Sequence, residues 1–127
     1  PALDSLGLAG SLTAFAQAPG PRVEVHLADR LGELPADVEL AAYRIVQEAL
    51  TNVRRHAAAR SARIDLRRSR DALHITVSDD GSGLPQTLRH GIGLASMRER
   101  ATEVGGRCTI APGPQGGTRV TARLPVA

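Results

Sequence analysis

Three stretches of this sequence alternate apolar and polar residues with a period of two, and that alternation restricts the fold most. Ala62, Ile64 and Leu66 alternate with Arg63, Asp65 and Arg67. Leu73, Ile75 and Val77 alternate with His74, Thr76 and Ser78, and Val120, Ala122 and Leu124 with Arg119, Thr121 and Arg123. Period two puts one set on one face of a strand, so these segments predict a sheet with a dry face and a wet face. Val23, Val25 and Leu27 read the same way against Arg22, Glu24 and His26, and Cys108 and Ile110 begin a further strand. Ser69-Arg70-Asp71 is a turn, so the strands around it form an antiparallel hairpin.

A dry face needs cover. Leu8, Leu12 and Phe15 recur at helical spacing, which predicts a helix over 5–18, stopped by Pro19-Gly20-Pro21. Pro35 opens a long helix, its missing N–H harmless in the first turn. Val38, Ala42, Ile45, Ala49 and Val53 follow at steps of three and four, to Ala57 or Ala58. A further helix over 94–104 ends at Gly105-Gly106. Residues 29–34, 80–93 and 112–117 read as loops. Helices on one face of hairpin-paired strands make an α+β two-layer sandwich.

Composition narrows the chemistry. The chain has 127 residues, enough for one domain, and only 2% aromatics, so Leu, Val, Ile and Ala build its core. All 16 basic residues are arginine. With no lysine there is neither a Schiff base nor a P-loop lysine. A single cysteine excludes an internal disulfide and a cysteine zinc site. No apolar run approaches the roughly 18 residues that cross a bilayer. No leader opens the chain, and Pro1 reads as the start of a processed or excised piece. The net charge is +3, but scattered, and Phe15 and Tyr43 are the only aromatics. Without a stacking platform, nucleic acid is not an expected partner.

On the long helix Glu48, Asn52 and Arg55 fall within about 60° of one another, with His56 at their border. This polar stripe lies beside the apolar one, so the trio belongs at the rim of the core. Glu48 faces Asn52, which cannot neutralise it, and Asn is a poor mid-helix residue. An amide oxygen beside a carboxylate suits Mg²⁺; a solvated stripe is the plainer alternative. Asp79 shares the inward parity of Leu73, Ile75 and Val77, while Asp80 points the other way. An inward carboxylate needs donors, either a ligand amine or the turn it caps. Gly81 and Gly83 follow, and Gly91-Ile92-Gly93-Leu94 opens the next helix. Glycines admit a close ligand, and free N–H groups at a helix start favour phosphate. Cys108 and Met97 read as core residues, Arg67-Arg68-Ser69-Arg70 as a solvated hairpin tip, and His26 and His74 as solvated.

Taken together, these motifs resemble the ATP-binding catalytic domain of sensor histidine kinases, in the gyrase, heat-shock chaperone, histidine kinase and mismatch-repair ATPase superfamily. The family pattern E-x-x-x-N-x-x-K/R-H stands as Glu48 to His56, D-x-G-x-G as Asp79 to Gly83, and G-x-G-L as Gly91 to Leu94. Met97-Arg98-Glu99-Arg100 continues the last, and Gly117-Thr118-Arg119-Val120 through Leu124-Pro125 matches the closing motif. Pro1 to Leu8 matches the segment after the phosphoacceptor helices, and the nitrate-sensor-like subfamily fits best.

The resemblance implies the Bergerat fold, a mixed, mostly antiparallel sheet with helices on one face. Residues 1–20 would be a connecting helix, 21–127 the catalytic domain and 82–93 its ATP lid. By the same resemblance ATP and Mg²⁺ are the cofactors. Asn52 would bind Mg²⁺, Asp79 would accept from the adenine amine, and Thr118 would hold a water beside Asp79. Gly81, Gly83, Gly91 and Gly93 would shape the lid, with phosphates at the Gly91–Leu94 backbone and Arg55 and His56 near them. Glu48 sits where hydrolysing relatives keep a general base. Arg55 replaces a frequent lysine, exchanging a point charge for a planar fork.

The family's phosphorylated histidine has no counterpart in His26, His56, His74 or His90. The expected function is therefore γ-phosphoryl transfer from Mg-ATP to a histidine on a separate dimerisation domain, which passes it to a response regulator. The isolated domain is expected to be monomeric and cytoplasmic, with a parent kinase that can carry a membrane anchor. Two rivals share the motifs: a serine kinase acting as an anti-sigma factor, and a degenerate nucleotide-binding module.

Overall fold

The computed structural model describes residues 2–28, 30–56, 59–81, 92–113 and 116–126, with the side chains of 2–6, 56, 92 and 93 excepted. The chain runs α1 (Ala2–Ala16), β1 (Arg22–Leu27), α2 (Ala36–His56), β2 (Ser61–Arg68), β3 (Ala72–Asp79), α3 (Ile92–Glu103), β4 (Arg107–Pro112), β5 (Thr118–Pro125). The strands form one sheet in the order β1-β2-β3-β5-β4. Only β1 and β2 run parallel; the helix α2 connects them, as a parallel pair requires. The remaining pairs are antiparallel, with Ile64 opposite Val77 and Val77 opposite Val120.

The alternation sorts the sheet as the sequence predicts. Ile64, Leu66, Leu73, Ile75, Val77, Val120, Ala122 and Leu124 are buried, and all three helices pack over that face. Val38, Ala42, Ile45, Ala49 and Val53 form the buried stripe of α2, and Met97 and Cys108 join the same core. The outer face carries the charged and hydroxyl residues. Leu27 departs from the pattern at 47% exposure, because β1 is an edge strand whose cover fades from buried Val23 through half-buried Val25.

Helix boundaries differ from the sequence reading at α1. It spans Ala2–Ala16 and is broken at Gly7, whose φ of 70° leaves the helical region. It ends before Ala18 because the residue preceding a proline is driven out of the α region. Leu8 and Leu12 anchor it in the core, Phe15 stacks on Tyr43 of α2 at 5.5 Å between ring centroids, and Arg54 Nη2 donates to the Phe15 carbonyl at 3.4 Å. At the end of α3 the Gly105 and Gly106 N–H groups bond to the Thr102 and Ala101 carbonyls, closing the helix as the two glycines predict.

One arginine of the hairpin tip is not solvated. Arg68 Nη1 donates to the Glu33 carbonyl at 2.7 Å and to that of Leu31, fastening the loop after β1 to the end of β2. His74 is half-buried, held below its ordinary pKa by burial and by the neighbouring Arg67 and Arg123 charges. Burial pushes the Cys108 thiol up to about 11. At pH 8 only about one molecule in a thousand would carry the thiolate. Alkylation of native Cys108 is thus expected to be far slower than in denaturant, and equal rates would contradict its burial.

Candidate functional site

The inward face of β3 ends on Asp79, and α2 crosses the sheet there. Ala49, Asn52 and Val53 of α2, Val77 and Asp79 of β3, Ile110 of β4, and Thr118 and Val120 of β5 line one cleft. Its walls are aliphatic and its polar groups few, the usual make-up of a small-molecule site. The free space is about 10 Å³, roughly the room of one water, so the cleft has the lining of a small-molecule site but not its volume.

Asp79 is half-buried and its carboxyl is held above the ordinary carboxylate range. Burial is the main cause and the Asp80 charge adds to it, while N–H donors from Gly81 and Thr118 pull the other way. Gly81 N donates to Asp79 Oδ1 at 2.8 Å, and no ion pair among the described residues involves Asp79. A carboxylate kept partly dry without a cation has acceptor capacity left for a donor entering the cleft.

Asn52 and Thr118 share this cleft with Asp79, although they are 66 positions apart in the sequence. Glu48 is half-buried one turn before Asn52, and Arg55 is exposed one turn after it, so the trio does sit at the rim of the core. Neither lines the cleft. His56 closes α2, but its side chain is not among the described residues. Gly93 lies in the first turn of α3; the Leu94 side chain is buried in the core, leaving only its backbone for a ligand. Gly83, Gly91 and most of the 82–93 segment lie outside the described residues. Among the described residues no three acidic, histidine or cysteine side chains converge on a metal position. Mg²⁺ held by one protein oxygen, phosphates and waters needs no such cluster, and the half-buried Asn52 amide suits that role.

Two further residues build the site. Asp80 Oδ1 accepts from the Arg60 and Ser61 N–H groups at 2.9 and 3.0 Å, and Oδ2 accepts from Ser61 Oγ at 2.9 Å. These bonds, those from Ser61 first, hold its carboxyl below the ordinary range. They tie the chain entering β2 to the end of the strand that presents Asp79. Gly117, at φ 72°, abuts the Asp79 main chain: a Cβ there would collide with the Asp79 carbonyl oxygen and lie 2.8 Å from Oδ1. Its place before Thr118 in the closing motif was the available signal for Gly117, and the outward parity of Asp80 was that for Asp80.

Known proteins share both the sequence and the fold. Residues 37–127 match the family described as histidine kinase-, DNA gyrase B-, and HSP90-like ATPase. The signal transduction histidine-protein kinase/phosphatase DegS of Brevibacillus brevis is 31% identical over 98% of this chain and 34% of its own length. The sensor histidine kinase YxjM of Bacillus subtilis is 38% identical over 72% of this chain and 22% of its own. The chain thus spans about a third or less of these curated relatives. The crystal structure of the ATP binding domain of PrrB from Mycobacterium tuberculosis superposes with a TM-score of 0.64 at 27% identity, over 92% of this chain and 88% of that one. Family match and shared fold agree with the motifs around the cleft: the chain belongs to the histidine kinase-, DNA gyrase B- and HSP90-like ATPases.

Proposed function

We propose that this domain binds Mg-ATP in the Asn52–Asp79–Thr118 cleft and presents the γ-phosphoryl group to a histidine on a separate dimerisation domain. The convergence of these three side chains on one aliphatic cleft carries the reading. Asp79 accepts from the exocyclic amine of adenine, and Thr118 holds a water beside it. Val53, Val77, Ile110 and Val120 flank the base. The Asn52 amide oxygen ligates Mg²⁺, which supplies charge neutralisation between the phosphates. Glu48 lies one turn away at the rim, placed for a base. Arg55 and His56, at the end of the same helix, are assigned to the phosphates, as are the Gly91, Gly93 and Leu94 main-chain groups. Gly81, Gly83, Gly91 and Gly93 shape the lid, assigned to 82–93. Catalysis is then positioning and charge stabilisation.

The same reading makes 1–20 the connector from the dimerisation domain, and that domain's histidine the donor to a response regulator. The catalytic domain is cytoplasmic and monomeric when isolated. Placement in the nitrate-sensor-like subfamily belongs to this proposal. Among the described residues no helix is long and apolar enough to cross a membrane.

Titration with Mg-ATP is expected to raise thermal stability, by about 2.7 kcal/mol at a hundredfold excess over Kd. Asn52→Ala should remove the Mg²⁺ dependence of that shift. Incubated with γ-labelled ATP, the chain alone should label poorly. With the parent's helical domain added, it should give an acid-labile, alkali-stable product on that domain. Acid-stable label on a serine protein would favour the anti-sigma reading, and no nucleotide-induced shift would leave only a degenerate module.

A further inference from the structure

The outer face of the sheet, away from the nucleotide cleft, is ordered by register into rows. Arg67 lies opposite His74, His74 opposite Arg123, and Arg123 opposite Arg107. The next row places His26 beside Asp65, then Thr76, Thr121 and Thr109. A third sets Glu24, Arg63, Ser78 and Arg119 side by side. These three rows hold five arginines, two histidines and two carboxylates, and Arg22 and Asp80 lie on the same face beyond the third row.

The two carboxylates are already engaged. Asp65 pairs with Arg63 at 2.9 Å, and Glu24 takes Arg22 at 3.5 Å and His26 at 3.1 Å. Arg123 reaches only Asp71, at 3.6 Å on the hairpin turn. Among the described residues Arg67, Arg107 and Arg119 have no acidic partner, and all three are exposed.

Like charges directly opposite on neighbouring strands destabilise a sheet. The Arg67–His74–Arg123–Arg107 row sets such neighbours side by side across four strands. Burial first, and then the flanking Arg67 and Arg123 charges, hold His74 below its ordinary pKa, which leaves Arg123 and Arg107 as the directly opposed like charges of the row. An anionic partner would turn this cost into binding.

The shape selects among anions. A groove of about 480 Å³ lies at one end of the row, lined by Arg67 and His74 with His26, Arg63, Asp65 and Thr121, and Arg123 and Arg107 continue the row beyond it. A flat bilayer does not fill a groove. Nucleic-acid bases find no aromatic ring there, since both aromatic residues, Phe15 and Tyr43, lie on the helical side. Strands stand about 4.8 Å apart, so the arginine row spans about 14 Å. An extended chain repeats its same-side residues every 6.6–6.8 Å or so, which sets two or three carboxylates against that row. Arginine forks hold carboxylates bidentately, and the threonine row offers hydroxyls to the backbone between them.

We infer that the outer face of the sheet is a docking surface for an acidic polypeptide segment, held across the strands by Arg67, Arg123 and Arg107. The nucleotide cleft is on the other side of the sheet, so the two sites are filled independently.

A fluorescent deca-glutamate peptide tests this by anisotropy, on the 127-residue chain at low salt. The expected result is saturable one-to-one binding that weakens as salt rises. Arg67→Thr/Arg107→Thr should weaken it roughly tenfold or more. The same variant should melt higher by roughly 2–5 °C, because like-charge neighbours are gone, and should shift with Mg-ATP as the wild type does. A misfolded variant would instead melt lower. Arg44→Thr/Arg100→Thr, on the helical side, should bind as the wild type does. Equal loss in both double variants would mean diffuse attraction and overturn the proposal. So would unchanged binding in Arg67→Thr/Arg107→Thr, or stronger capture by phosphatidylglycerol vesicles or single-stranded DNA than by the peptide.

Discussion

Gly117→Ala is expected to lower the unfolding free energy by about 2–4 kcal/mol and to remove nucleotide binding together with it. Two costs combine. At φ 72° an alanine occupies the left-handed region, where its Cβ crowds the following carbonyl. The same Cβ meets the Asp79 carbonyl oxygen, which is main chain and cannot rotate away. Relief requires β5 to separate from β3 at the point where Thr118 donates to Asp79. A control variant, Gly116→Ala, carries comparable strain at φ 85° without that contact. Denaturant unfolding and a nucleotide titration on both variants separate the effects. If Gly117→Ala binds nucleotide as Gly116→Ala does, Gly117 does not shape the cleft.

Asp79→Asn is expected to weaken adenine nucleotides on the order of a hundredfold while leaving the fold as stable as before or more so. A site built around one hydrogen bond to its ligand loses heavily when that bond is mismatched. An asparagine can keep an oxygen toward the Gly81 N–H, but then turns an NH₂ toward an amine that also donates. Stability moves the other way because the folded state holds the Asp79 carboxyl above its ordinary value through burial. A group whose pKa is raised by folding stabilises the protonated native state. Its contribution is full below the unfolded pKa and is lost as pH rises through the folded value. Wild type should therefore lose this part of its stability on going from acid toward neutral pH, while nucleotide affinity increases over the same window. Asp79→Asn should show neither slope at this position. Calorimetry across that range, with a destabilised variant or an unchanged affinity as the adverse result, decides it.

Residues repeating with a clear period were legible in the sequence. Val38 through Val53 marked the buried stripe of α2, and Leu73, Ile75 and Val77 carried the parity that turned Asp79 inward. Sheet order was less so: β5 lies between β3 and β4, and nothing local in Val120, Ala122 or Leu124 distinguishes a central strand from an edge. Arg68 escaped because its partners are main-chain carbonyls of Leu31 and Glu33, which any residue supplies. The same holds for Asp80, whose donors are the Arg60 and Ser61 N–H groups. Contacts between a side chain and a distant backbone leave no compositional trace. Asn52, Asp79 and Thr118 were recoverable because each sits in a motif, yet only the fold brings them to one cleft.

The stacking of Phe15 on Tyr43 makes the chain its own optical instrument. With one tyrosine and no tryptophan, all intrinsic emission comes from a single ring, and that ring is capped by a residue of α1. Tyrosine emission therefore reads the seating of α1 on α2, free of background from the rest of the molecule. Because Tyr43 does not line the nucleotide cleft, that signal monitors the α1–α2 contact while the cleft is loaded or emptied.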